Sequence, residues 1–254
     1  MLWYKSWIDT RWRFLLLLAL VLVVACGTVM AFKTVQALVA AVPADVVVGN
    51  EALQQEFRES LELGRTFRGY VWSDWFADSF PGLITLVAAL LGSGSPLVKS
   101  GSGALFSLAL PVSRERWIAT RAGMGLAELF VLALVPSVAI SALAPIVGEQ
   151  FAFVEAIVYG LCAFVVASLF FGLAMFFSTL FNDVWRPLLL TCLAAMALAI
   201  VGLSLPEDYG LFQAMAGTNY FYGGSLPWAE LALSAAAAGG LVYAAAANVA
   251  RRDF

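Results

Sequence analysis

Long apolar runs separated by short polar intervals dominate the chain. About 20 mostly apolar residues are enough for a helix to cross a bilayer. Six segments reach that length: 14–32, 76–98, 117–147, 151–181, 187–205 and 226–250. The second has the shortest uninterrupted core, FPGLITLVAALL, before glycines begin. Pro136 and Pro145 lie in the third, where each removes a backbone donor and is expected to kink or end the helix. The pattern predicts an all-α polytopic membrane protein with six transmembrane helices, built as a single transmembrane unit over 1–254.

The polar intervals have patterns of their own. In MLWYKSWIDTRWR, Trp3, Tyr4, Trp7, Ile8 and Trp12 recur at helical spacing with Lys5, Asp9 and Arg13 among them. That mixture predicts an interfacial helix over 1–13, lying in the membrane plane and separate from the first span. The interval 43–79 is long for a connection. Within it Asn50 can cap a helix whose Leu53, Phe57 and Leu61 form one apolar stripe, with Gly64 placed to close it. It reads as an external loop resting on the bundle. The interval 206–226, PEDYGLFQAMAGTNYFYGGSL, has too many glycines for a span. It is expected to form short helices, external or re-entrant, which are tolerated where protein covers their ends. SAAAAGGLVYAAAA in the sixth span supplies small residues for close helix packing.

Composition agrees with the pattern: 62% of the 254 residues are apolar and 12% charged, and mean hydropathy is +0.90. A net charge of −3 and a pI near 5.0 argue against a nucleic-acid partner. Cys26, Cys162 and Cys192 all lie in apolar runs, which suggests unpaired thiols. The absence of histidine removes His-based triads and His-ligated metal centres.

Orientation follows from the cations. With the N-terminus inside, the inner face receives Lys5, Arg11, Arg13, Lys99, Arg114, Arg116, Arg121, Arg186, Arg251 and Arg252, and the outer face only Lys33, Arg58, Arg65 and Arg68. Trp3, Trp7, Trp12, Trp117 and Trp185 would mark the inner boundary, and Trp72, Trp75 and Trp228 the outer one. Six spans with both termini cytoplasmic satisfy both criteria.

Four motifs bear on function. Residues 92–103, GSGSPLVKSGSG, suggest a phosphate-binding loop. A Walker A loop ending at Lys99-Ser100 needs glycines at 93 and 98, where Ser93 and Val98 stand. The dinucleotide pattern fails as well, because its third glycine would fall on Phe106. No nucleotide, metal or other cofactor is therefore expected in this chain, and no enzymatic activity of its own. Val23-Val24-Ala25-Cys26 resembles a lipoprotein cleavage box, but the apolar run continues past the cysteine and reads as a span. Glu128 lies inside the third span, where an ionisable group is costly and a candidate for the translocation path, or else a hydrogen-bonded structural glutamate. In ALFSLALPVSRERW, Pro111 breaks a short apolar helix, and Ser113 can cap the next with Glu115 in its first turn. This segment would present a firm apolar knob between spans two and three.

The turn Leu110-Pro111-Val112-Ser113-Arg114 resembles that of the permease subunits of type-2 ABC (ATP-binding cassette) exporters, which carry a glycine-led cytoplasmic helix ending in such a turn. The basic tail Arg251–Phe254, the interfacial start and the six spans are also similar to that family, whose members often have a Glu-rich stretch where this chain has Val98-Lys99-Ser100-Gly101. The resemblance implies a cytoplasmic coupling helix within 99–117. Its ATPase-facing residues would be Ala104, Leu105, Phe106, Leu108, Leu110, Pro111, Val112, Ser113 and Arg114, joined by Trp3 and Trp7 of the interfacial helix. The implied partners are separate ATPase subunits that hold ATP and magnesium, a second permease chain and membrane lipid, in a bacterial inner membrane. Two alternatives have the same topology: an ATP-independent secondary transporter, and a membrane scaffold subunit of a larger complex.

Overall fold

The computed structural model describes residues 2–42, 50–94, 114–181, 183–203 and 210–250. Among these every regular element is a helix. Six helical stretches are long and apolar enough to cross a membrane: Thr10–Ala41, Phe67–Ser93, Arg116–Val147, Phe153–Leu180, Trp185–Gly202 and Trp228–Ala250, called spans 1 to 6 below. The expected all-helical architecture, with six helices long and apolar enough to span a membrane, is thus present among the described residues, and span 2 differs most from its expected limits.

Helix α1, Leu2–Ala41, contains the N-terminal stretch and span 1 in one piece of 40 residues. At 1.5 Å per residue it is about 60 Å long, twice the thickness of a hydrocarbon core. The separate helix expected over 1–13 is not a separate element. No glycine or proline interrupts TRWRFLL, so nothing breaks the hydrogen-bond ladder at Arg13.

Helix α2, Glu51–Arg65, starts directly after Asn50 and leans on α1 with Phe57 and Leu61 half-buried. Gly64 does not close it. The helix passes through Gly64, whose added β-carbon would stand 3.2 Å from Val39 Cγ2, so this glycine serves close packing against span 1. The break falls at Thr66, which adopts extended backbone and whose hydroxyl accepts the Gly69 N–H at 3.1 Å, capping α3 (Phe67–Tyr70).

From α3 the chain continues through a π-helical stretch, Val71–Ser79, into α4, Phe80–Ser93. Span 2 therefore begins at Phe67, and the last part of the expected external loop 43–79 belongs to the bundle. Phe67, Tyr70, Val71, Trp72, Trp75, Phe76 and Phe80 recur at helical spacing and are all buried. Trp72 and Trp75 thus face the core of the bundle. Trp3, Trp12, Trp185 and Trp228 are exposed, as a headgroup-level tryptophan requires.

Span 3 combines α5, Arg114–Leu143, with a 3-10 turn, Ala144–Val147, closed by Gly148 at φ +83°. Pro145 ends the α-helix as expected, whereas Pro136 stays inside it. Span 4 is α6, Phe153–Leu180, span 5 lies in α7, Trp185–Leu203, and span 6 is α10, Trp228–Ala250. Before span 6 come the short helices α8, Leu211–Ala216, and α9, Thr218–Phe221, separated by Gly217 at φ +64°. These two short helices fold onto the bundle: Phe212 stacks on Phe170 and Tyr220 meets Tyr159 edge-on.

Span 4 is the centre. It packs against spans 2, 3, 5 and 6, and 61% of its apolar stretch is buried against 22% in spans 5 and 6. Those two, with the outer side of span 1, form the periphery. The three cysteines are free.

Candidate functional site

Two groups of polar side chains hold opposite ends of this bundle. At the N-terminal end, the start of α1 lies along the start of span 3. The Trp3 ring covers Gly123, where a β-carbon would stand 2.9 Å from ring atom Cη2. Trp7 packs on Phe14 with ring centroids 5.5 Å apart. Further along, Thr10 donates its hydroxyl proton to Glu128 Oε1, and Arg121 lies within electrostatic reach of the same carboxylate. Glu128 is buried, so this layer sets its environment.

The same layer reaches span 2. A β-carbon on Gly94 would stand 2.7 Å from Arg121 Nη2 and 3.3 Å from Arg13 Nη1. Both guanidinium groups therefore converge on the C-terminal end of α4, where carbonyls lack helical partners and the helix dipole favours cations. Two residues back, a β-carbon on Gly92 would come within 2.5 Å of the Phe171 carbonyl oxygen, and one on Gly125 would come within 2.5 Å of the Phe171 ring. Phe171 of span 4 thus fills the space left by glycines on spans 2 and 3.

Of the residues the sequence singles out, Trp3, Trp7 and Glu128 come together here. Arg114 is the first residue of α5. Ala104, Leu105, Phe106, Leu108, Leu110, Pro111, Val112 and Ser113 lie outside the described residues. Arg13, Arg121, Gly94 and Gly125 were not singled out for this layer by sequence reasoning.

At the far end, Arg68 of α3 forms an ion pair with Glu155 in the first turn of span 4, Nε to Oε2 at 2.9 Å. It donates from Nη2 to the Phe221 carbonyl at 3.2 Å, and its guanidinium lies 4.6 Å from the Phe221 ring centroid. Trp72 stacks on the same ring at 4.1 Å and donates its indole N–H to the Ala216 carbonyl at 3.2 Å. Beside these contacts runs a groove of about 440 Å³ lined by Glu59, Glu62, Leu63, Arg68, Phe221 and Tyr222. Asp74, assigned by sequence to the external loop, lies within span 2 and accepts the Thr28 hydroxyl at 3.2 Å. The aromatic residues at helical spacing around Arg68 were the available signal that this segment is helical.

No protein-family model, curated protein or solved structure matches the chain.

Proposed function

We propose that this chain is the membrane-spanning subunit of an ATP-driven ABC exporter, which forms the translocation path and is moved by separate ATPase subunits bound at its N-terminal, cytoplasmic end. One observation supports the reading beyond the Leu110–Arg114 turn. The start of α1 lies against both described elements that flank residues 95–113 in the chain, with Arg13 beside Gly94 and with Trp3 on Gly123 and Thr10 bonded to Glu128 of span 3. A displacement of that segment, or of the N-terminal stretch, is therefore passed to spans 1, 2 and 3 together. Such a displacement follows nucleotide binding only if the partner binds one arrangement better than the other. The proposal includes a second permease chain completing the path, lipid around the exposed spans, and a bacterial inner-membrane location with both termini cytoplasmic.

Gentle purification of the tagged chain from its native membrane, followed by mass spectrometry, tests the reading. A near-stoichiometric soluble subunit with a true Walker A loop is expected. Its absence from preparations in which known membrane complexes survive would count against the proposal. A sharper test is the double substitution Leu108→Glu/Leu110→Glu. Both leucines would be apolar anchors of the docking surface, so their replacement is expected to weaken ATPase binding at least roughly tenfold while the chain stays inserted. Unchanged binding and stimulation in the double variant would exclude 104–110 as the docking element.

A further inference from the structure

Arg68 joins three separate parts of the far end: the start of span 2 that carries it, Glu155 of span 4, and Phe221 of the connection before span 6. Phe221 is in turn stacked on Trp72. The pair is partly accessible from outside the bundle, Arg68 being 45% and Glu155 21% exposed, so it is a weak tie that can open at modest cost where it meets solvent.

Immediately after this turn, Val71–Ser79 is π-helical, and the Phe80 N–H bonds back to the Trp75 carbonyl. Such stretches are rare and are frequently found at functional positions. The aromatic interior beneath it contains a buried polar atom with no hydrogen-bond partner among the described residues, Trp75 Nε1, and the buried Tyr159 hydroxyl, which lies within electrostatic reach of Glu155 and Arg68. Trp75 stacks on Phe80 at 5.0 Å and Tyr159 packs on Phe76 at 4.7 Å. A buried unpaired donor destabilises the arrangement that contains it. The closed far end therefore depends on contacts that hold it from outside, and Arg68 supplies three of them.

The geometry points to a gate at the far end of the bundle, with Arg68–Glu155 as its latch and Val71–Ser79 as its hinge. When the π-helical stretch takes up α-helical hydrogen bonding, the Phe67–Tyr70 turn rotates about the helix axis relative to Phe80–Ser93. Arg68 then leaves Glu155 and Phe221, the Trp72–Phe221 stack opens, and the groove beside it connects with the aromatic interior around Phe76. The inference rests on the transport reading, because a gate presupposes a passage, but its test needs no ATPase.

The test uses the full chain in nanodiscs, with Cys26, Cys162 and Cys192 replaced by alanine. A reporter cysteine at Ala216→Cys, buried behind Trp72, is modified with a charged thiosulfonate reagent. A control cysteine at Ser93→Cys, buried at the opposite end of span 2, is measured in parallel. Arg68→Gln removes the ion pair, the charged donor to Phe221 and the cation over its ring, and is expected to raise the Ala216→Cys rate roughly 5- to 20-fold. Glu155→Gln removes the ion pair alone, and roughly 2- to 5-fold is expected. Arg68→Glu places two carboxylates together and should be fastest, and the swap Arg68→Glu/Glu155→Arg should be slower than Arg68→Glu alone. The Ser93→Cys rate should stay at the parent value throughout. The latch is overturned if Arg68→Gln reacts at the parent rate, if the swap is as fast as Arg68→Glu, or if Ser93→Cys accelerates in step, which would indicate general loosening. Failure to find an ATPase would overturn the exporter reading and leave this result unchanged.

Discussion

Gly92→Ala is expected to lower the unfolding midpoint of the chain by roughly 5–10 °C, and Gly92→Val to abolish stable insertion. The added β-carbon would stand 2.5 Å from the Phe171 carbonyl oxygen, 2.7 Å from Ala174 Cβ and 3.1 Å from the Met175 backbone nitrogen. Two of those three atoms are backbone, so no rotamer change relieves the clash, and spans 2 and 4 must move apart. Overpacking of this kind costs about 1–3 kcal/mol, and the backbone neighbours place it at the upper end. At roughly 2–4 °C per kcal/mol for a chain of this size, the stated shift follows. Gly82→Ala and Gly239→Ala provide the opposite sign, because a β-carbon at either position meets nothing within 4 Å. There the better helix propensity of alanine, about 1 kcal/mol, acts alone and should leave the midpoint unchanged or raise it slightly. Thermal unfolding in detergent, followed by the fluorescence of the eight tryptophans, reads all three. Equal midpoints for Gly92→Ala and Gly82→Ala would mean that spans 2 and 4 do not approach as closely as described.

Gly92 also shows where local reading of the sequence loses its hold. In GSGSPLVKSGSG it has the look of a flexible loop, yet α4 runs through Ser93 and uses Gly92 for helix packing. Glycine has the same local signature in both roles, and only the opposing Phe171 separates them. The six spans were legible because an apolar run longer than a bilayer has few other destinations. Helix α2 was legible because its stripe and its start at Asn50 are local features. The start of span 2 was obscured for a definite reason: Ser73, Asp74, Asp78 and Ser79 dilute the hydropathy of a segment whose buried face is aromatic. Arg68–Glu155 and Thr10–Glu128 join residues 87 and 118 positions apart. No local pattern encodes such pairs. Both groups of polar contacts therefore came from the structure, although several of their members had been noticed singly.

Glu128 is the residue whose role the geometry sharpens most, and its variants should separate two readings that looked equivalent along the sequence. Its carboxylate accepts from Thr10 and lies near Arg121, in the layer that fastens α1 to span 3. If it acts as this tie, Glu128→Gln retains an acceptor for Thr10 and should preserve most stability and, on the proposed exporter reading, most of the partner's ATPase stimulation. Glu128→Leu removes the acceptor, and Thr10→Val removes the donor and leaves a buried carboxylate without it. Each should cost about 1–3 kcal/mol. Because they delete the same hydrogen bond, the double variant should cost less than the sum of the singles, by about 1–2 kcal/mol. Thermal unfolding of the parent, the two single variants and the double measures that difference. On the proposed exporter reading, stimulation of the partner ATPase should fall together in Thr10→Val and Glu128→Leu, since both release the N-terminal helix from span 3. A glutamate that instead touches the transported molecule predicts another order: Glu128→Gln alone would stop transport, and Thr10→Val would leave it intact. The burial of Glu128 and its bond to a residue of the N-terminal helix favour the first order. On the exporter reading proposed above, its task is then mechanical, joining the element that would receive the partner's motion to the span that must follow it.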